Sequence, residues 1–427
     1  MSASTSVIPD TGPAGHYAQR NAAYWRRNLA VCVFGSFTTL VSLTMLLPFL
    51  PLYVQRLGET SQAGIVRASA IAFGATFLGT GLTAPLLGRL ADRYGRKPML
   101  VRAAIGMAIV MSLIGIAHSV LELVLLRLLA GLVGGFASAS MVLIGTQAPR
   151  ERSGWALGVL ASGALAGNLV GPLVGGFLPG WVGIRGSFFV GGAMIAAAAL
   201  ATIFLVREDF ERACDGHMAA AGNPQPRRPG ARIVTATLMV TAMMVLLCNM
   251  SIEPIITVFI GHLGVVPARQ ARFAGLIMAA TALGSMLTAS RLGALADRVG
   301  SWNVIVGCLV ATALVLLPQA MVTRWWQLAL LRGLMGMTVA GLLPSIAKLV
   351  RLAAQDTNAG RTLGYLQSSQ FAGQVIGPLL GAQIATELGM RGVFVATAGL
   401  LLLCAALAHG VRSRHVGTVV ARGPKWA

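Results

Sequence analysis

Long apolar runs broken by short charged clusters set the pattern of this chain. Uncharged stretches cover 28–55, 68–88, 103–121, 128–149, 153–184, 186–206, 233–252, 273–290, 299–323, 333–347, 362–386 and 392–411. A helix needs roughly 20 apolar residues to cross a hydrocarbon core about 30 Å thick. The fourth and tenth stretches extend outward past one internal arginine each, and the seventh continues past Glu253 to about Ile260. The pattern predicts twelve transmembrane helices.

The longest polar interruption, Arg207 to Arg232, contains Asn223-Pro224-Gln225-Pro226 and Pro229-Gly230, which exclude a continuous helix. It divides the chain into an N-terminal tail (1–28), a first six-helix bundle (29–206), a linker (207–231), a second bundle (232–411) and a C-terminal tail (412–427). The first 27 residues lack the apolar core and cleavage site of a signal peptide, so the tail is expected to stay uncleaved.

Composition supports this reading. Only 11% of the 427 residues are charged, against about 25% in soluble proteins, so no polar shell can cover soluble domains. The net charge of +20 raises the question of nucleic acid, but the basic residues lie in short clusters between spans and form no dense tract. Their placement is informative instead. With the N-terminus inside, the tails and even-to-odd loops hold 24 Lys/Arg and the opposite loops seven. The positive-inside rule then makes both termini cytoplasmic. Five scattered cysteines and six scattered histidines give no disulfide framework, metal site or enzyme constellation. No nucleotide-binding motif or other cofactor signature appears.

The two bundles read as repeats. At an offset of about 206, Pro48 falls on Pro254 and Leu57-Gly58 on Leu263-Gly264. Residues 88–95 (GRLADRYG) fall on 293–300 (GALADRVG), and Arg127…Gly131 on Arg332…Gly336, at 205. Gly167-x-x-x-Gly171-Pro172-Leu173-x-Gly175 falls on Gly373-x-x-x-Gly377-Pro378-Leu379-x-Gly381. Six is even, so the repeats share one orientation, the plan of a rocking transporter with substrate between the halves.

On these motifs the chain resembles the major facilitator superfamily over residues 28–411. GRLADRYGRK (88–97) is similar to its loop 2–3 signature, Arg127-x-x-x-Gly131 to its helix 4 motif, and Gly158-(x8)-Gly167-(x3)-Gly171-Pro172-(x2)-Gly175-Gly176 to the helix 5 motif of its antiporters. The segments 25–29, 48–53 and 153–158 are similar to those of bacterial multidrug efflux pumps in the drug:proton antiporter branch. The resemblance implies a monomer in the bacterial inner membrane that exchanges amphipathic small molecules for protons. A uniporter or symporter of one metabolite on the same fold is the alternative.

Individual residues carry expectations of their own. In the loop 2–3 signature, Gly88 and Gly95 are expected to frame a turn holding Asp92, Arg93 and Arg96, which the resemblance implies latches the cytoplasmic gate. Asp297 and Arg298 form a weaker copy, with Ser301 and Trp302 in place of Arg96 and Lys97. Arg127 and Arg332 lie inside spans, where a charged group is functional by default. Arg127 either couples transport or snorkels to Glu122, whereas Arg332 has no acid nearby in sequence. Glu253 alone among the acids stands well inside a span, so Glu253, Arg127, Glu122 and Asp92 are the proton-coupling candidates. Arg332, Asn168, Gln367, Gln370, Phe371, Gln374, Met243 and Met250 are candidates for the substrate cavity. The amides either line it or glue helices together, and the methionines either adapt to ligands or pack.

Overall fold

The computed structural model describes residues 13–149, 151–208, 231–353 and 359–413, without the side chains of 13–23, 92, 231 and 359–361. Most of the expected linker and the outer parts of both tails fall outside these residues. Among those described, the chain forms fifteen helices that make twelve crossings. In the first half these are α1 (Pro13–Thr44) with α2 (Leu50–Arg56), α3 (Gln62–Tyr94), α4 (Arg96–Gly115), α5 (Val120–Val133) with α6 (Phe136–Gln147), α7 (Ser153–Phe177) and α8 (Pro179–Leu205). The second half contains α9 (Ala231–His262), α10 (Pro267–Val299), α11 (Ser301–Gln319), α12 (Trp325–Val339) with α13 (Leu342–Ala353), α14 (Ala359–Glu387) and α15 (Gly389–Val411).

Eleven of these crossings are long and apolar enough to span a membrane by composition; α14 is the exception. Its 29 residues include Gln367, Gln370, Gln374 and Gln383. Helix packing against α9 and α3 supplies what its own hydropathy does not.

The repeat is visible in the packing. The pairs α1–α7, α3–α5 and α4–α8 of the first half recur as α9–α14, α10–α12 and α11–α15 in the second. Matching glycines allow the backbones to touch. A Cβ at Gly175 would overlap the Met45 carbonyl oxygen, and one at Gly381 the Ser251 carbonyl oxygen. Likewise Gly131 lies against the Thr76 carbonyl and Gly336 against that of Thr281.

The halves differ at their shared proline. Around Pro254 α9 runs unbroken, whereas around Pro48 the chain leaves the helix over 45–49 and resumes as α2. The break frees the Pro48 carbonyl, which accepts a bond from Thr257 Oγ1 at 3.0 Å, joining the halves. A similar break at Gly134-Gly135 leaves the Val133 and Gly134 carbonyls to Arg102 Nη2, at 3.2 and 3.0 Å.

We call the side where α1 enters and α15 leaves the tail face, and the other the far face. Close approaches between the halves run from mid-depth to the far face. Gln62 meets His262 at 2.6 Å, Arg272 lies over the Phe177 ring, and Gly176 abuts Ala271 and Arg272. Deeper in, Gly74 abuts Val375 and Gly81 abuts Phe371. Each apolar core also borrows from the opposite half near this face: Val66 and Ala70 enter the second core, Ala271 the first.

Candidate functional site

The residue with the most consequential surroundings is Glu253, which is 8% exposed on α9. Arg332, fully buried on α12, donates from Nη2 to Glu253 Oε1 at 3.1 Å. The other terminal nitrogen, Nη1, donates to Met335 Sδ at 3.3 Å, and Gln319 Nε2 approaches the same sulfur at 4.0 Å. Sequence distance hid this pair, because its members are 79 positions apart. Gln319 and Met335 were also missed. An amide ending the apolar run of α11 was the one available signal.

Arg127 occupies the equivalent place in the first half with 1% exposure, and its surroundings differ. Its Nε donates to the Ala72 carbonyl at 3.3 Å, its guanidinium lies 5.8 Å from the Phe73 ring centroid, and Nη1 has no hydrogen-bond partner among the described residues. The Glu122 pairing offered by the sequence does not form. That carboxylate sits exposed at the far face, where it accepts the His118 backbone N–H at 2.7 Å beside the start of α5. An acid in the first turn of a helix is stabilised by the amide dipoles there, and this local option outcompetes burial.

The loop 2–3 signature differs from the expected turn. Gly88 is helical, α3 continues to Tyr94, and Gly95 alone turns the chain, with φ +93°. Leu, Ala and Arg are good helix formers, so the helix persists beyond the apolar span. Arg93 lies over the Tyr94 ring. The Asp92 side chain lies outside the described residues. The backbone N–H groups of Arg96 and Lys97 donate to Glu208, just past the end of α8, at 2.8 and 2.6 Å. Beside it Asn28 donates to Gln147 and to the Arg207 carbonyl, so α1, α6 and α8 are tied at the tail face.

In the second copy Asp297 pairs with Lys348 of α13 at 2.7 Å, while Arg298 is exposed. Trp302, standing where the first half has Lys97, donates its indole N–H to the Ala408 carbonyl at 3.1 Å.

The helix 5 motif packs both within its own half and across to the other. Gly167, Gly171 and Gly175 face α1, Gly176 and Pro172 face α10, and Gly158 is exposed. On α14, Gln367 is exposed while Gln370, Phe371 and Gln374 are half-buried. Met243 and Met250 are half-buried on α9, where Gly373 and Gly377 of α14 pack beside them, so these two groups share a wall. Asn168 is exposed on α7, which packs mainly against α1 and α10. Among the described residues no cluster of three His, Cys, Asp or Glu could hold a metal.

Comparisons with known proteins agree with this architecture. The sequence profile described as Major Facilitator Superfamily matches residues 32–271 and again 238–425. The multidrug resistance protein MdtG of Salmonella arizonae is 39% identical over 395 residues, covering 92% of this chain and 98% of that protein. MdtG of Citrobacter koseri is 38% identical over 398 residues, covering 93% and 98%. Among solved structures, a bacterial homologue of the human lysosomal transporter Spinster, in an inward-facing and occupied conformation, superposes with a TM-score of 0.77. It is 15% identical, covering 92% of this chain and 98% of that one. The human organic anion transporter MFSD10 gives 0.67 at 19% identity, covering 90% and 99%.

Proposed function

Because this chain belongs to the major facilitator superfamily and is a multi-pass membrane transporter, we propose that it exports amphipathic small molecules in exchange for protons, with Glu253 as the proton site. The buried Glu253–Arg332 pair carries this reading. Removing two charges from water is costly, and a buried pair is seldom worth keeping for stability alone. An ionisable pair inside a span therefore points to function.

The pair also suggests how protonation reaches the gate. Neutralising Glu253 removes the counter-charge of Arg332 and loosens α9 from α12. Thr257 lies four residues further along α9, on the same face, and holds the bond to Pro48 between the halves. Weakening one end of this segment favours release of the other, and the halves part at the far face. The charge asymmetry of the sequence supports a cytoplasmic tail face, so the conformation described here is the one closed toward the outside. In this reading Arg127, the α14 amides and the α9 methionines meet the substrate. Asp92, Arg96 and the Asp297–Lys348 pair govern closure of the tail face.

The test is proton movement in inside-out vesicles carrying a preformed pH gradient. Amphipathic drugs added to wild type should dissipate the gradient, and Glu253→Gln should abolish the effect. An equal response in both proteins would remove Glu253 from the coupling step. No response in folded wild type would overturn the exchange itself and favour a single-metabolite carrier.

A further inference from the structure

Three buried polar atoms around Arg332 have no hydrogen-bond partner among the described residues: Gln319 Oε1, Glu253 Oε2 and Arg332 Nε. They belong to one cluster, linked through the Glu253–Arg332 bond and the shared Met335 sulfur. Two are acceptors and one is a donor. A water molecule has two hydrogens to give and accepts readily, and buried waters typically make about three bonds to such groups. Leaving all three unpaired would forfeit the solvation each had in water, which makes a shared partner strongly favourable.

The position of Gln319 gives that water a direction. It is the last residue of α11 and fully buried, whereas Met321, two residues on, is 78% exposed at the far face. Side chains on a helix lean toward its N-terminus. Gln319 therefore hangs inward from the far face while Arg332, on the antiparallel α12, reaches outward to meet it.

We propose that a bound water bridges Gln319 Oε1, Arg332 Nε and Glu253 Oε2, and that Glu253 exchanges its proton with the far side through it, with Gln319 as the positioning residue. As the water passes a proton to the Glu253 carboxylate it takes one from solvent at the far face, so it stays neutral and one proton moves inward. The kinetic part rests on Glu253 being the proton site; the water itself does not. Among the described residues, Arg332 is the charged group that pairs with Glu253, at 3.1 Å. His262, further along α9, is engaged with Gln62.

Infrared spectroscopy of the purified full-length protein in nanodiscs tests the water, and stopped-flow proton uptake after a pH jump tests its role. Wild type should show a weakly hydrogen-bonded O–H band that shifts in H2(18)O, and Gln319→Leu should lose it. The same variant should take up as many protons as wild type about tenfold more slowly, the rate equivalent of one lost hydrogen bond. Gln319→Met, closer in shape, serves if Gln319→Leu does not fold. Absence of the band from wild type, or an unchanged band and uptake rate in the variant, would overturn the proposal. Should Glu253→Gln keep the full proton uptake, the assignment of Glu253 fails, and the isotope-sensitive band still decides the water separately.

Discussion

Arg127 and Arg332 stand at equivalent points of the two halves, on helices that pack against their neighbours through matching glycines. Around Arg332 the second half places Glu253, Met335 and Gln319. At the repeat offsets the first half has Leu47, Ala130 and Ile114. One arginine therefore has an ionic partner and polar company, while the other has a backbone carbonyl and the face of Phe73. The scaffold is symmetric and its charge chemistry is not. The repeat holds two buried cations, and among the described residues only Arg332 is neutralised from within its own half by a buried carboxylate.

Mutations can separate the shared scaffold from the asymmetric chemistry. The largest effect should fall equally on both halves. Gly131→Val and Gly336→Val each push a side chain into a backbone carbonyl that cannot move aside. Each should lose about 4 kcal/mol or more, read as loss of monodisperse protein in detergent. A variant that tolerates valine in one half only would show the scaffold to be asymmetric too.

Arg332→Met should follow, at about 3–5 kcal/mol, because it strands the Glu253 carboxylate. Adding Glu253→Gln should recover most of that loss in thermal unfolding, whereas proton-driven transport stays lost. Arg127→Met strands no charge and should lose about 1.5–3 kcal/mol, the range for a hydrogen bond to a charged group. Equal losses at Arg127 and Arg332 would erase the distinction drawn between the halves.

Thr257→Val should have the smallest effect. It removes one bond between the halves, worth about 1 kcal/mol. Spin labels across the far face should show a correspondingly larger open population, with no change in unfolding of either half.

Much of this was legible in the sequence because bilayer thickness imposes a length on each span and water imposes charge on what lies between. Those rules gave the crossings and the depth of Arg127, Arg332 and Glu253, and residues in register at offsets of 205 and 206 gave the repeat. They failed where a local alternative existed. The 88–97 segment looked like a turn from its glycines, yet good helix formers carried α3 on to Tyr94. Glu122 looked like a partner for Arg127, yet the start of α5 held it.

The chain by itself determined which groups are buried and how deep, since burial in a membrane helix follows from periodicity and length. Which buried groups meet was decided only by tertiary structure. Glu253 finds Arg332 because α9 and α12 bring their side chains together across 79 residues of intervening chain, a relation that no spacing along one helix encodes.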